Sequence, residues 1–356
     1  MKILTVIGAR PQFIKAASFS HALKSNDMVE EVIVHTGQHY DQNMSKIFFD
    51  QLNIPHPTYR LDSGGKSHAA MTAYQLCEIE KILLLELPHF VILYGDTNST
   101  LSGALSASKL NIPIVHIEAG LRSFNNNMPE EINRIVTDRL SKILFCPSQK
   151  AKNNLIKEGF ENFDSEIYVV GDIMLDTIKL FTDNIKLVPP EKTPYIICTI
   201  HRQENTNKIE RLKEIIEGIN KIADSIKIIF PIHPRTLKII DDFKIVLNNN
   251  IIVKDPMSYI EFINHIKHSE IVITDSGGIQ KESFFMKKNC LVLREETEWE
   301  ELVDLNYNRL CGFNKDKILK AFKERKNLRS NFNSLLYGEG NTSNQIIEIL
   351  YNKFCD

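Results

Sequence analysis

The chain has 356 residues, 43% hydrophobic and 25% charged, with a formal net charge of −2. That length suits two domains of roughly 150–200 residues, and a charge so near zero gives no field to gather nucleic acid. No stretch approaches the ~20 apolar residues of a membrane span, and the six scattered cysteines form no metal-ligand cluster, so a cytoplasmic protein with buried, reduced thiols is expected.

In chain order, short apolar runs bounded by Gly, Asp or His alternate with helical patterns, the mark of repeated βα units and parallel sheets. The first half offers strands at Lys2–Gly8, Glu31–Gly37, Phe90–Asp96, Ile112–Gly120, Lys142–Ser148 and Glu166–Asp172. Ser99–Leu110, where small and apolar residues recur, and Pro129–Ser141, opened by acidic residues, read as helices between them. Adjacent prolines in Leu187–Pro194 break the alternation and predict an extended linker. A second series follows, with strands at Tyr195–Ile200, Lys227–His233, Ile251–Asp255, Glu270–Asp275 and Cys290–Arg294. A final helix is expected over Asn344–Phe354. Two sequential α/β halves imply a cleft between them, lined by loops at the strand C-termini.

Polar residues fall where strands end. Asp96 follows Val91–Gly95, Glu118 follows Ile114–Ile117, and Glu130 and Glu131 open the next helix. Carboxylates gathered on one rim repel one another and lie partly out of water, which suits proton transfer. Arg10 and Lys15, in and just after the Gly8–Pro11 turn, are placed to face an anion or to make surface salt bridges. In the second half, Ser276-Gly277-Gly278 leaves a strand and enters a helix, so its amides are open to a phosphate. Glu282, one turn further on, suits ribose hydroxyls, and His201, Arg202 and His233 stand at other strand ends. The GxGxxG and GxxxxGK[ST] fingerprints are absent, so neither a dinucleotide cofactor nor a P-loop is expected.

GARPQFIK (Gly8–Lys15), YGDTNST (Tyr94–Thr100), HIEAGLRS (His116–Ser123), PEEINR (Pro129–Arg134), HRQEN (His201–Asn205) and TDSGGIQKE (Thr274–Glu282) together resemble the non-hydrolysing UDP-N-acetylglucosamine 2-epimerase family. The resemblance implies two Rossmann-like domains facing a cleft, as in GT-B glycosyltransferases. It puts the first domain at residues 1–172, with helix 344–356 packing back on it, and a UDP-binding domain at 190–340. It further implies a homodimer acting on a UDP-sugar without a redox cofactor. Asp96, Glu118 and Glu131 become the acid/base carboxylates, with His201 beside the leaving diphosphate. Arg10, Lys15, Arg202 and His233 surround the nucleotide sugar, Ser276, Gly277 and Gly278 hold phosphates, and Glu282 holds the ribose. Most members read Gly-Thr-Arg-Pro-Glu where this chain has Gly8–Gln12, and EETEWEE (Glu295–Glu301) lacks the Arg-Pro-Glu typical after the last strand. GARPQ looks more like the branch acting on UDP-2,3-diacetamido-2,3-dideoxy-glucuronate, and GQHYDQN (Gly37–Asn43) departs from many bacterial members. A GT-B glycosyltransferase and a non-enzymatic nucleotide-sugar sensor are the competing classes.

Overall fold

Unbroken apolar runs such as Phe90–Tyr94 and Tyr195–Thr199 are buried at every position, as parallel strands covered on both faces must be. In the computed structural model, which describes residues 1–24, 29–38, 54–183, 187–326, 328, 330–332 and 335–354, such runs assemble into two units. One comprises Met1–Asp183 with Leu335–Asp356, the other Asn184–Ser334.

The described residues of the first unit build seven strands: β1 (Lys2–Ile7), β2 (Glu30–His35), β3 (Tyr59–Arg60), β4 (Phe90–Tyr94), β5 (Ile114–Ile117), β6 (Ile143–Cys146) and β7 (Glu166–Val169). Their spatial order is β3-β2-β1-β4-β5-β6-β7, with every pairing parallel. Helices α1 (Arg10–Leu23), α2 (His68–Glu86), α3 (Asn98–Lys109), α4 (Pro129–Leu140), α5 (Gln149–Lys157) and α6 (Ile173–Thr182) accompany them. The order reverses between β1 and β4, and such a switch point opens a crevice beyond the C-terminal ends of those strands. Small residues let α3 lie close on the sheet: a Cβ added at Gly103 would come 2.6 Å from Leu93 Cδ2. The C-terminal helix, Thr342–Phe354, packs on α1 and α6. The Asp176 carboxylate accepts the Thr342 and Ser343 N–H groups at its start, at 3.1 and 2.6 Å, and Phe354 near its end rests on Phe90, ring centroids 4.6 Å apart.

The second unit repeats the topology. Strands β8 (Tyr195–Thr199), β9 (Lys227–Pro231), β10 (Ile251–Lys254), β11 (Val272–Thr274), β12 (Cys290–Val292) and β13 (Asn308–Leu310) lie in the order β10-β9-β8-β11-β12-β13, again all parallel. Its helices are α7 (Gln203–Thr206), α8 (Ile209–Ala223), α9 (Pro234–Asp242), α10 (Tyr259–His268), α11 (Gly277–Phe285), α12 (Glu300–Asp304) and α13 (Lys315–Arg325). Helix α8 buries Leu212, Ile215, Ile216, Ile219 and Ile222, a helical repeat facing Ile196, Ile228 and Ile273 in one core. Here the order reverses between β8 and β11.

Several expected strands end earlier than the apolar pattern suggests. Gly95, Glu118 and Gly120 take φ of 61°, 73° and 80°, which turns the chain out of the sheet. Strands β3 and β13 add sheet edges that the pattern does not signal. Residues 187–194 carry neither helix nor strand. Cys146, Cys198, Cys290 and Cys311 are buried free thiols, whereas Cys77 is exposed on α2, and Cys355 lies outside the described residues, as do 39–43 of the Gly37–Asn43 segment. Among the described residues no helix is long and apolar enough to cross a membrane.

Candidate functional site

In the first unit the site begins at the turn from β1 into α1. Gly8 carries no Cβ because one would collide with the Thr36 and Ser99 hydroxyls. Gln12 clips this turn to the end of β4: its Oε1 accepts the Gly8 and Ala9 N–H groups at 2.8 and 3.1 Å, and its Nε2 donates to the Tyr94 carbonyl at 3.1 Å and to Thr100 Oγ1 at 2.9 Å. The carboxamide thereby uses all of its hydrogen-bonding capacity. Arg10 opens α1 and is half-buried, and Lys15, a turn further on, is buried and ion-paired with Glu118.

Asp96 and Glu118 leave neighbouring strands, β4 and β5. A Cβ on the intervening Gly95 would lie 3.0 Å from both the Lys15 ammonium and the Glu118 carboxylate. The positive φ of Glu118 is unusual for a side-chain-bearing residue; such strain persists only where the surroundings fix it, and it clusters at functional sites. The Glu118 and Ala119 amides both bond the Phe145 carbonyl, at 3.1 and 3.0 Å.

Carboxylates expected to crowd one another are instead each matched with a cation. Arg134 on α4 pairs with Asp96 through one terminal nitrogen and with Glu131 through the other. The Glu131 carboxylate also accepts the Ser123 N–H at 3.0 Å, the Ser123 hydroxyl at 2.9 Å and the Phe124 N–H at 2.9 Å. Accessibility separates the three: the side chain of Asp96 is 31% exposed, that of Glu118 7% and that of Glu131 1%. Glu130 beside them is half-buried.

In the second unit the site is organised by Asp275, directly after β11. Its fully buried carboxylate accepts the backbone N–H groups of His201 at 3.1 Å and Arg202 at 3.0 Å, and Asn205 Nδ2 at 3.1 Å, with His201 Nδ1 3.3 Å away. Ser276 caps α11, so Gly277 and Gly278 form its first turn, where amides lack helical acceptors. No atom would crowd a Cβ at Gly278, while one at Gly277 would meet the Glu298 carboxylate, which pairs with Arg294 at 2.8 Å. Glu282 is buried on α11, and the Lys281 ammonium lies 4.1 Å from the Trp299 ring centre. His233 starts α9, its Nδ1 accepting the Arg235 N–H at 3.2 Å. Burial first, then the charges of His201 and Arg235, hold its pKa below the usual imidazole value.

The structure thus brings Lys15 to Glu118 and His201 to Asp275. Arg134 and Asp275 stand among the residues that sequence reasoning does not single out, although the i,i+3 spacing of Glu131 and Arg134 is a helix-pair signal.

Residues 21–351 match the sequence profile of a family described as UDP-N-acetylglucosamine 2-epimerase. The UDP-2,3-diacetamido-2,3-dideoxy-D-glucuronate 2-epimerase of Pseudomonas aeruginosa is 49% identical over 98% of this chain and 99% of its own. The chain belongs to the UDP-N-acetylglucosamine 2-epimerase family. The six motifs and the family match therefore agree. Among solved structures, the Methanocaldococcus jannaschii UDP-GlcNAc 2-epimerase in complex with UDP-GlcNAc and UDP superposes with a TM-score of 0.91 at 42% identity, covering 99% of this chain and 100% of that one. Phytolacca americana UGT2, at 12% identity and a TM-score of 0.60 over 100% of this chain and 99% of its own, shares the fold alone. The α/β fold of this epimerase-family member, with two Rossmann-like units, is thus GT-B-like.

Proposed function

We propose that the chain inverts C2 of a UDP-linked 2-acetamido sugar, UDP-N-acetylglucosamine to its manno epimer, by eliminating UDP and adding it back. No carbonyl adjoins C2 in the ring, so its proton leaves only as the C1–O bond to UDP breaks. A base takes the proton, the C2–H electron pair becomes the C1=C2 bond of a 2-acetamidoglucal, and the C1–O pair departs with UDP. Protonation of C2 on the opposite face and return of the UDP oxygen to C1 complete the inversion. This route needs an acid, a base and donors for the departing diphosphate.

The observation that carries the reading is the placement of Asp96 and Glu118 at the ends of adjacent strands, β4 and β5, beside the first switch point. We assign the proton work to these two. Glu131, already accepting from Ser123, Phe124 and Arg134, narrows to holding that loop and Arg134. Arg10, His201 and the Ser276-Gly277-Gly278 helix start stabilise the diphosphate, Lys15, Arg202 and His233 line the nucleotide sugar, and Glu282 takes the ribose. Incubation with UDP-N-acetylglucosamine alone in deuterated water is the test. Epimerisation with deuterium at C2 supports the reading; turnover only with an acceptor sugar points to a glycosyltransferase, and UDP binding without exchange to a sensor.

A second reading keeps the chemistry and changes the sugar. The 49% identical relative is named for UDP-2,3-diacetamido-2,3-dideoxy-D-glucuronate, which favours a substrate carrying a C3 acetamido group and a C6 carboxylate. Relative kcat/KM on the two sugars decides. The same reading makes the protein a cytoplasmic homodimer, which light scattering on the purified protein and cell fractionation check.

A further inference from the structure

Beneath the two proton-transfer carboxylates lies a buried polar layer to which the proposed reaction gives no task. His116 sits inside β5 and is fully buried, between Val115 and Ile117. Its Nδ1 is 2.6 Å from Asp138 Oδ1, and its Nε2 is 2.7 Å from the carbonyl oxygen of Gly95. Carbonyl and carboxylate oxygens only accept, so both ring nitrogens act as donors. The other oxygen of Asp138 accepts the Gly120 N–H at 3.1 Å and Arg122 Nη1 at 2.7 Å. Burial pushes the Asp138 carboxyl upward, but His116 and Arg122 outweigh it and hold the group below the usual carboxylate range. Arg122 completes the layer with a two-pronged pair to Glu158, at 2.7 Å on each side.

What this layer touches matters more than its own stability, since a buried polar cluster adds little net free energy over an apolar one. On one side the ring grips the carbonyl directly before Asp96. On the other, through Asp138, it grips the amide two residues past Glu118. Gly95 and Glu118 both occupy left-handed backbone conformations; glycine takes this one freely, whereas at Glu118 it persists only where neighbours over-determine it. Other ties of these turns include the Gly95 N–H to the Ile117 carbonyl at 3.0 Å, the Glu118 and Ala119 N–H groups to the Phe145 carbonyl at 3.1 and 3.0 Å, Asn133 Nδ2 to the Asp96 carbonyl at 2.9 Å and Asn154 Nδ2 to the Gly120 carbonyl at 3.0 Å. None of these bonds is made to the oxygen of the peptide that follows Gly95 Cα, although Asn133 and Arg134 hold Asp96 from its far side. That peptide carries Asp96, and its oxygen is the atom His116 holds.

We propose that His116 is a positioning residue for C2 proton transfer: its bond to the Gly95 carbonyl fixes the turn that carries Asp96 relative to Glu118, while Asp138 steadies the ring. This rests on those two residues being the proton-transfer pair. Inversion through a glucal needs one group on each face of the same carbon, and a misplacement of about 1 Å in such a constellation costs on the order of 10²-fold.

Two variants of the full-length protein separate the two ends of the ring. In His116→Gln the amide nitrogen takes the place of Nε2, keeping the bond to Gly95 and losing Asp138. In His116→Asn it takes the place of Nδ1 and does the reverse. kcat and KM for epimerisation, UDP affinity by calorimetry and melting temperature are measured for both, with Asp96→Asn as the reference. Both variants are expected to bind UDP as the parent does and to melt at similar, lowered temperatures. His116→Asn should lose on the order of 10² in kcat with little change in KM, and His116→Gln at least several-fold less. Equal kcat losses in the two, or a kcat for His116→Asn within about threefold of the parent, overturns the proposal. Should His116→Asn not fold, His116→Gln and Asp138→Asn, which both keep the Gly95 bond, carry the test: kcat within about tenfold of the parent at unchanged KM is expected, and a loss on the order of 10² in either overturns the proposal. If Asp96→Asn itself turns over normally, the proton-transfer reading has failed instead, and that outcome is visible separately.

Discussion

The two units share one strand order and use it oppositely. At the first switch point charged side chains are spent on one another: Lys15 on Glu118, and Arg134 on both Asp96 and Glu131. At the second, a single buried carboxylate, Asp275, anchors backbone amides, while the His201 side chain remains 48% exposed and the α11 start presents glycine. A proton-transfer site needs groups locked in place, whereas an anion site needs donors turned outward. On the proposed reading, a strand order common to both sheets serves different tasks because the side chains at the strand ends differ.

The sharpest way to break this contrast is to separate chemistry from binding. Asp96→Asn and Glu118→Gln should each lower kcat by ~10²–10⁴ while UDP affinity, measured by calorimetry, stays near parental. A matching loss of UDP affinity would mean that these two carboxylates hold the nucleotide rather than move the proton. Gly278→Ala reverses the pattern. A methyl there meets no protein atom, so melting temperature holds, yet it should weaken UDP on the order of tenfold by blocking close approach to the α11 amides. Unchanged UDP affinity would remove the phosphate from that turn.

A smaller effect tests Glu131. Glu131→Gln cannot accept from Ser123, Phe124 and Arg134 together, so stability should fall by about 1–3 kcal/mol, read as a lower denaturation midpoint. A mutant as stable as the parent but inactive would return Glu131 to the proton work. The smallest effect is pH-dependent. His233 sits below its usual pKa in the free protein, and a nearby diphosphate raises it, so UDP binding should take up protons and tighten a few-fold as pH falls between about 7 and 5. Flat affinity across that window would place the anion away from His233.

Much of the fold is legible because the central strands are unbroken apolar runs: Phe90–Tyr94 and Tyr195–Thr199 declare themselves. Strands β3 and β13 do not, being two and three residues long with partly exposed positions, too short for any period to register. Asp96 and Glu118 are legible as site candidates because each stands where an apolar run stops. Their partners are hidden by distance along the chain: Arg134 reaches back 38 residues to Asp96, and Asp275 reaches 74 to His201. His116 reads as one more residue of an otherwise apolar strand, since only folding brings Asp138 and Gly95 to its two nitrogens. Asp96 and Glu118 read as mutually repelling for the same reason, because their counter-cations, Arg134 and Lys15, arrive from helices α4 and α1.

The second unit interrupts the first, whose last helix is made only after residue 334. On a ribosome the inserted unit is therefore fully synthesised before the segment that closes its host emerges, and the host waits half-finished with the Phe90 face and the Asp176 carboxylate lacking Thr342–Phe354. Premature termination anywhere after the insert would accordingly spare the part made last but one and harm the part begun first.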